Sequence, residues 1–444
     1  MGYFLVILVA VILMIVAIQK YNMHPFIVMT VISVLVGLCC GIDTETVINT
    51  VKSGFGNIMG SIGIVILCGT IIGTILEKTG AALTMANSIL KLVGKSRSVL
   101  TMAITGYITG IPVFCDSGFV ILSPISRALA EQSHVSLAVM ATALSGGLYA
   151  THCLVPPTPG PIAMAGTLNA DLGLTILVGL IISVPATASA YIYAKHVSSK
   201  IDIPANSQYS VEELTEKYGK LPGAFQSFLP IFLPIILIAL KSVADFPARP
   251  FGTGVFQKFV SFIGNPVIAL ILGVFISMTL IPKSEDSKTT LNWISEGVTN
   301  SASILAITGA GGSFGAIIQK LPIADVLSSH LLGLGVGVFL PFLIAAMLKC
   351  AMGASTVAMI TTSAMVAPMM EALGFASPLG RVLVIMAIGA GSMTVSHAND
   401  SYFWVVSQFS DMNTSQAYRC QTGMTGVMGL TTIIVVFILS LFLV

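Results

Sequence analysis

Ser396-His397-Ala398-Asn399-Asp400-Ser401, with Tyr402-Phe403-Trp404 directly behind it, is the stretch on which the reading of this chain turns. It interrupts two apolar runs in a sequence that otherwise keeps charge out of such runs. His397, Asn399 and Asp400 crowd three groups able to bind protons, ions or hydroxyls into four residues. An ionisable side chain at membrane depth is costly in hydrocarbon, so its default reading is a functional site on a polar cavity. The plainer alternative is a short polar loop at the membrane surface. The rest of the chain chooses between them.

Of the 444 residues, 55% are hydrophobic and only 9% charged, against roughly 25% charged in soluble domains. Mean hydropathy is +0.96. These values describe a polytopic membrane protein rather than a large soluble core. A net charge of +2 without any Lys/Arg block excludes a nucleic-acid binder. The seven cysteines lack paired spacing and mostly sit in apolar runs, so no disulfide framework, no zinc motif and no metal site is expected. Residues 3–19 are apolar from the outset, without a basic leader or a small-residue cleavage site. They read as a retained first span rather than a signal peptide.

A bilayer core of about 30 Å takes ~20 apolar residues per helix. On that measure residues 1–195 hold scaffold spans over 3–76, a hairpin over 99–130, a broken helix over 136–170 and a last span over 174–194. The hairpin is expected because its two arms are each too short to cross alone. The broken helix is expected because three prolines in Pro156-Pro157-Thr158-Pro159 cannot continue a helix. Residues 196–225, with Glu212, Glu213, Glu216, Lys217 and Lys220, form a cytoplasmic linker. Residues 226–444 then repeat the order: spans over 226–319, a hairpin over 334–373, a broken helix over 380–410 and a last span over 423–443.

The repeat is visible residue by residue. His24-Pro25 matches Asn265-Pro266 at an offset of 241, and Gly73 to Lys78 matches Gly315 to Lys320 at 242. Pro124 matches Pro368 at 244, and Thr151-His152 matches Ser396-His397 at 245. The expected fold class is therefore all-α and polytopic: two repeats of five transmembrane helices plus one re-entrant hairpin each. An odd number of spans turns the second copy upside down, so the repeats are inverted, with broken helices meeting at the midplane. With the N-terminus outside, thirteen Lys/Arg fall on the cytoplasmic side and six on the other. That bias agrees with the positive-inside rule and puts both termini outside.

Four polar elements converge if the repeats pack about a twofold axis: two hairpin tips (Asp116-Ser117-Gly118; Gly353-Ala354-Ser355-Thr356) and two breaks (Thr151 to Gly160; Ser396 to Ser401). Tips and unwound helices expose backbone groups, which is tolerable at depth only inside protein or along a wet cavity. Helix N-termini there offer N–H donors to a carboxylate. Ser117, Ser355, Thr356, Thr158 and Ser401 offer hydrogen bonds to hydroxyl groups, and Gly118, Thr151, Pro157 and Asn399 complete the candidate substrate lining. A small hydroxylated organic anion fits such a lining better than a lipid. Asp116, His152, His397 and Asp400 belong to the same candidate substrate lining and are also the candidates for a coupling proton. Each histidine has an alternative reading, that of tying down backbone at a helix break. Lys349, beside the second tip, either pairs with an anion or snorkels outward.

At these residues the sequence resembles the gluconate permease family of sugar-acid:proton symporters. The motifs are Val113-Phe-Cys-Asp116-Ser-Gly118, Thr151-His-Cys-Leu-Val-Pro-Pro-Thr-Pro-Gly160, Gly353-Ala-Ser-Thr-Val-Ala358 and Ser396-His-Ala-Asn-Asp-Ser-Tyr-Phe-Trp404. The likeness runs essentially end to end. It implies uptake of gluconate or a related hydroxy acid with protons across the bacterial inner membrane, without a cofactor, with periplasmic termini. It also implies a likeness to the wider ion-transporter superfamily, in which a dimeric scaffold carries hairpins and broken helices that move as an elevator. Family members differ in substrate, some carrying fructuronate, idonate or D-serine, and the layout is shared with sodium-coupled carriers. Two readings of other classes compete. An anion channel predicts conductance without accumulation, and no pore-lining charge ring is evident. An intramembrane enzyme using His397 and Asp400 lacks a nucleophile motif, so no catalytic residue is assigned.

Overall fold

The computed structural model describes residues 6, 9–10, 13–14, 16–17, 21, 23–94, 97–205, 221–245, 251–282, 287–321, 337–371, 373–397 and 400–443. Among them every regular element is helical. Most of the expected first span, the acidic part of the linker, the start of the second hairpin and Asn399 lie outside the described residues.

Helix α1 (Pro25–Cys39) starts on a proline, whose missing N–H costs nothing at the first helical position. In α2 (Thr44–Lys78), Asp43 caps the first turn by accepting the Thr46 N–H at 2.9 Å. α2 bends by 46° between Gly60 and Gly63. Next come α3 (Ala81–Val93), α4 (Ser98–Thr109), α5 (Cys115–Ser133), α6 (Leu137–Leu154), α7 (Pro159–Thr167) and α8 (Leu172–His196). The second half gives α9 (Ala224–Ala244), α10 (Val255–Ile263), α11 (Pro266–Met278) and α12 (Ser287–Gln319). It ends with α13 (Phe339–Met352), α14 (Ser355–Val366), α15 (Pro378–Met393), α16 (Ser401–Phe409) and α17 (Gly423–Leu443).

Among the described residues, five helical stretches are long and apolar enough to cross a membrane: Leu137–Thr167, Leu172–Lys200, Ala224–Ala244, Ser287–Ile318 and Thr414–Leu443. The bent pairs Thr44–Gly60 with Gly63–Lys78 and Val255–Ile263 with Pro266–Met278 raise this to seven. α2 and α12 cross in close contact at small residues. A Cβ on Gly54 would sit 2.9 Å from the Ser313 Cα, and one on Gly297 would sit 2.8 Å from the Ile71 Cα. Small residues are what let helices approach this closely where lipid removes the usual hydrophobic drive. α1 and α11 pack on this crossing.

At the centre lie α6, in which every residue is buried, and α15, buried from Val382 to Met393. A helix that is buried all round belongs inside a bundle. Gly147 of α6 abuts the backbone of Ala103 and Tyr107 on α4, and Gly391 of α15 abuts that of Phe342 and Ala346 on α13. The beginning of the linker is strapped down rather than free. Ile203 donates its N–H to Ser136 Oγ at 3.0 Å and accepts the Leu137 N–H at 3.0 Å.

Three expected positions are corrected. The first tip is not Asp116-Ser117-Gly118: the chain turns over 110–114, and those three residues form the first turn of α5. Pro112 explains the shift, since it lacks a donor and pushes the residue before it out of the α region. The first break does not begin at Thr151, because α6 runs through Thr151, His152 and Cys153 and unwinds only at Val155, next to Pro156. The second turn is narrower than the expected Gly353-Ala354-Ser355-Thr356: it covers Gly353 and Ala354, while Ser355 and Thr356 open α14, and Gly353 takes φ 78, a left-handed position that suits glycine. At the second break α15 ends at Met393, with Thr394 as its C-cap, and α16 starts at Ser401, with Asp400 as its N-cap.

Candidate functional site

The start of α5, the end of α6, the end of α13 and the break between α15 and α16 meet around one charge pair. The Lys349 ammonium donates to Asp400 Oδ2 at 2.6 Å, with side-chain exposures of 0% and 4%. Lys349 also donates to the Gly353 carbonyl, closing the second tip on itself. The Tyr149 ring lies 5.7 Å from the ammonium, within cation–π range.

Asp400 is the N-cap of α16. Its Oδ1 accepts the Tyr402 N–H at 3.1 Å, and its Oδ2 also accepts the Ser396 hydroxyl. A buried carboxylate survives only with this kind of pairing and hydrogen bonding. The break is pinned from α17 and its approach: the Thr422 hydroxyl donates to the Ser396 carbonyl, and the Ser396 N–H donates to Thr425 Oγ1 at 3.0 Å. His397 sits at the break with Nε2 3.2 Å from the Cys350 carbonyl, tying the break to the end of α13.

The two halves interlock around the pair. Tyr149 shares a hydrogen bond of 2.5 Å with Ser355, the first residue of α14. The Tyr149 ring lies nearly parallel to His152, at 7° with centroids 6.4 Å apart, and against Tyr402 at 5.1 Å. The Tyr402 hydroxyl donates to the Ser145 carbonyl at 3.2 Å. His152 is buried, and its Nδ1 has no hydrogen-bond partner among the described residues. Asp116 accepts the Ser401 hydroxyl at 3.3 Å, and Ser117 lies beside the Glu77 carboxylate of α2.

The expected residues thus divide. Asp116, His152, Ser355, His397, Asp400 and Ser401 come together around Lys349. Ser117 faces α2, and Gly118 packs against Leu148. Thr158 spends its hydroxyl inside the first break, on the carbonyls of His152 at 3.0 Å and Val155 at 2.6 Å. Thr151 is buried against Gly110, and the carbonyl of Pro157 meets α2 at Gly69. Thr356 stands at the start of α14 near Gly160 of α7. Tyr149, Ser145, Ser396, Thr422 and Thr425 were not read as site residues. Tyr149 lies in an unbroken apolar run, and the hydroxyls are too ordinary to stand out. Lys349 did carry a signal, a cation inside an apolar run, but its partner is 51 residues away.

Fold and site together define a multi-pass helical membrane protein with a buried, charge-bearing polar centre. Residues 3–442 match the model of the GntP family permeases. A Haemophilus influenzae protein named an uncharacterized permease is 36% identical over 422 residues, covering 91% of this chain and 85% of that protein. A Pseudomonas aeruginosa gluconate permease is 32% identical over 441 residues, covering 98% and 97%. The Escherichia coli K12 D-serine transporter DsdX is 30% identical over 439 residues, again covering 98% and 97%. In fold the chain is similar to the Alcanivorax borkumensis YdaH transporter, with a TM-score of 0.69 at 14% identity over 95% of this chain and 99% of that one. The class is a membrane transporter. The chain belongs to the GntP permease family.

Proposed function

We propose that this permease imports gluconate or a related hydroxy-acid anion together with protons across a bacterial inner membrane. The observation that carries the reading is the buried Lys349–Asp400 pair, set where the start of α5, the ends of α6 and α13 and the break between α15 and α16 meet, with the hydroxyls of Ser396, Ser355 and Ser401 nearby. Cation, carboxylates and hydroxyls are the groups that an anion with several hydroxyls and a coupled proton require. Asp400, Asp116 and His152 are the proton-coupling candidates. Ser355 and Ser401, with Thr356 and Asn399, serve the substrate hydroxyls, while Thr151, Pro157, Thr158 and His397 shape the breaks and Ser117 is turned to α2.

Inverted repeats fit the contacts of α2 with α12. Gly54 meets Ser313 while Gly297 meets Ile71, and offsets of 243 and 242 carry one pair onto the other with the partners exchanged. Isologous pairs of this kind are what a twofold relation produces. The matching seats of Gly147 on α4 and Gly391 on α13 support the same relation. We assign an elevator movement of α4 to α8 and α13 to α17 against a dimeric scaffold built on α1, α2, α9, α11 and α12.

The test is uptake of labelled gluconate into proteoliposomes. Saturable accumulation driven by an inward proton gradient and abolished by a protonophore is expected. Uptake that requires sodium and ignores the pH gradient would sink the proton coupling. A second reading, D-serine as substrate, is favoured by the likeness to DsdX and keeps the same carboxylate and hydroxyl chemistry. Competition of gluconate uptake by D-serine and a panel of sugar acids separates the two.

A further inference from the structure

We propose that Lys349 is the seat of the substrate carboxylate and that Asp400 is its internal stand-in, so that substrate and Asp400 exchange on one ammonium and the displaced Asp400 takes up the coupled proton. The inference deepens the carrier reading above and rests on it.

A lysine with no exposure, in an apolar helix, is tolerable only with an anion against it. Asp400 supplies that anion here, from a different element. Lys349 stands on the last turn of α13, and Asp400 caps α16 beyond an interrupted backbone. Their separation therefore needs a shift at a turn and a break, not the opening of a continuous helix. An ammonium has three donors. Two are spent on Asp400 and on the Gly353 carbonyl, and the second of these does not depend on Asp400. Lys349 therefore keeps its place while its carboxylate partner changes.

Once displaced, Asp400 keeps the Tyr402 N–H and the Ser396 hydroxyl but loses its cation. A buried carboxylate without a counter-charge is strongly disfavoured, whereas a protonated one is not. The step balances without breaking a covalent bond in the substrate. Empty, the site holds an ammonium and a carboxylate, summing to zero. Loaded, it holds the ammonium, the substrate carboxylate and an Asp400 carboxyl carrying one proton from the water on the entry side, again summing to zero. The pair thus dictates one proton per carboxylate and no net charge moved by this exchange. The groups that feel this charge are Cys115 and Asp116 on α5, Tyr149, His152 and Cys153 on α6, and Tyr402 on α16. Asp116 and His152 are the rival homes for the proton.

The test measures proton uptake on gluconate binding to the purified full chain, with a pH dye in weakly buffered detergent solution. Wild type is expected to take up one proton per gluconate bound. Sorbitol, which has the hydroxyls but no carboxylate, is expected not to bind. Asp400→Asn is expected to bind gluconate without proton uptake and to keep gluconate exchange in proteoliposomes while losing accumulation. The double variant Lys349→Met with Asp400→Leu removes both charges, so it remains folded by thermal denaturation and binds gluconate roughly 30-fold or more weakly. Wild-type binding without proton uptake, or one proton per gluconate in Asp400→Asn, overturns the exchange alone. A wild type that binds no hydroxy acid, D-serine included, overturns the carrier reading and this inference with it.

Discussion

The Ser401 hydroxyl donates to Asp116 Oδ1 at 3.3 Å, joining the first turns of α16 and α5 across 285 residues of chain. Both side chains are partly open, unlike the sealed Lys349–Asp400 pair beside them. One neutral or charge-assisted bond at such a site is worth about 1 kcal/mol, or roughly fivefold in a binding constant. Ser401→Ala and Asp116→Asn are therefore expected to raise the KM for gluconate uptake by roughly that factor and leave proton-driven accumulation intact. Uptake kinetics in proteoliposomes decide it. Loss of accumulation in Asp116→Asn would move the coupling proton from Asp400 to Asp116.

Tyr149 and Ser355, 2.5 Å apart and both buried, make the analogous link between α6 and α14. Removing one hydroxyl strands the other, at a cost of about 1–3 kcal/mol, whereas removing both leaves nothing unpaired. Tyr149→Phe alone is expected to lower the Tm in detergent, and Tyr149→Phe with Ser355→Ala to recover part of the loss. A double-mutant cycle with no coupling would show that the contact carries no energy of its own.

How much of this site the sequence discloses depends on how a residue advertises itself. His397 and Asp400 stand out because ionisable groups inside apolar runs are costly, and the likeness of Thr151-His152 to Ser396-His397 marks the pair of breaks. Prolines locate the first break to within a few residues, whereas the second contains none and is marked only by its polar residues. At the first tip Asp116 is the conspicuous residue, yet it is the missing donor at Pro112 that turns the chain. Lys349 is visible as an anomaly, but its role is not, since nothing local points to a partner 51 residues on. Tyr149 is invisible: its neighbours are Leu148 and Ala150, and only tertiary packing gives it a function.

Asp245, just beyond the end of α9, accepts from Lys241 at 2.6 Å, Ser261 at 2.6 Å and Gln257 at 3.2 Å. The Lys241 ammonium and the Ser261 hydroxyl beside it hold its carboxyl below the ordinary value. A carboxyl whose pKa is lower when folded contributes stability that is complete above its unfolded pKa of about 4 and fades as pH falls through the folded value. Thermal unfolding of wild type should therefore show no contribution to its pH slope from this group above about pH 5 and a loss below about pH 4. Asp245→Asn should flatten that acid limb. An unchanged limb would mean that these bonds are not kept in solution.

Gly147 and Gly391 hold α6 against α4 and α15 against α13 at backbone distance, so a side chain there has nowhere to go. A Cβ on Gly147 would sit 2.6 Å from the Tyr107 nitrogen, and one on Gly391 would sit 3.0 Å from that of Ala346. Backbone cannot rotate aside as a side chain can, so the helices themselves must part. Overpacking of this kind costs about 1–3 kcal/mol, and more where two backbones meet. Gly147→Ala and Gly391→Ala are each expected to lower the Tm and the folded yield, with Val worse than Ala. Gly426, within α17, meets nothing inside 4 Å. There the same substitution removes a flexible residue from an open helix face, and Gly426→Ala is expected to gain up to about 1 kcal/mol. Thermal unfolding of the three variants side by side is the measurement. Similar losses at all three positions would mean that glycine is needed for helix mobility rather than for these two close crossings.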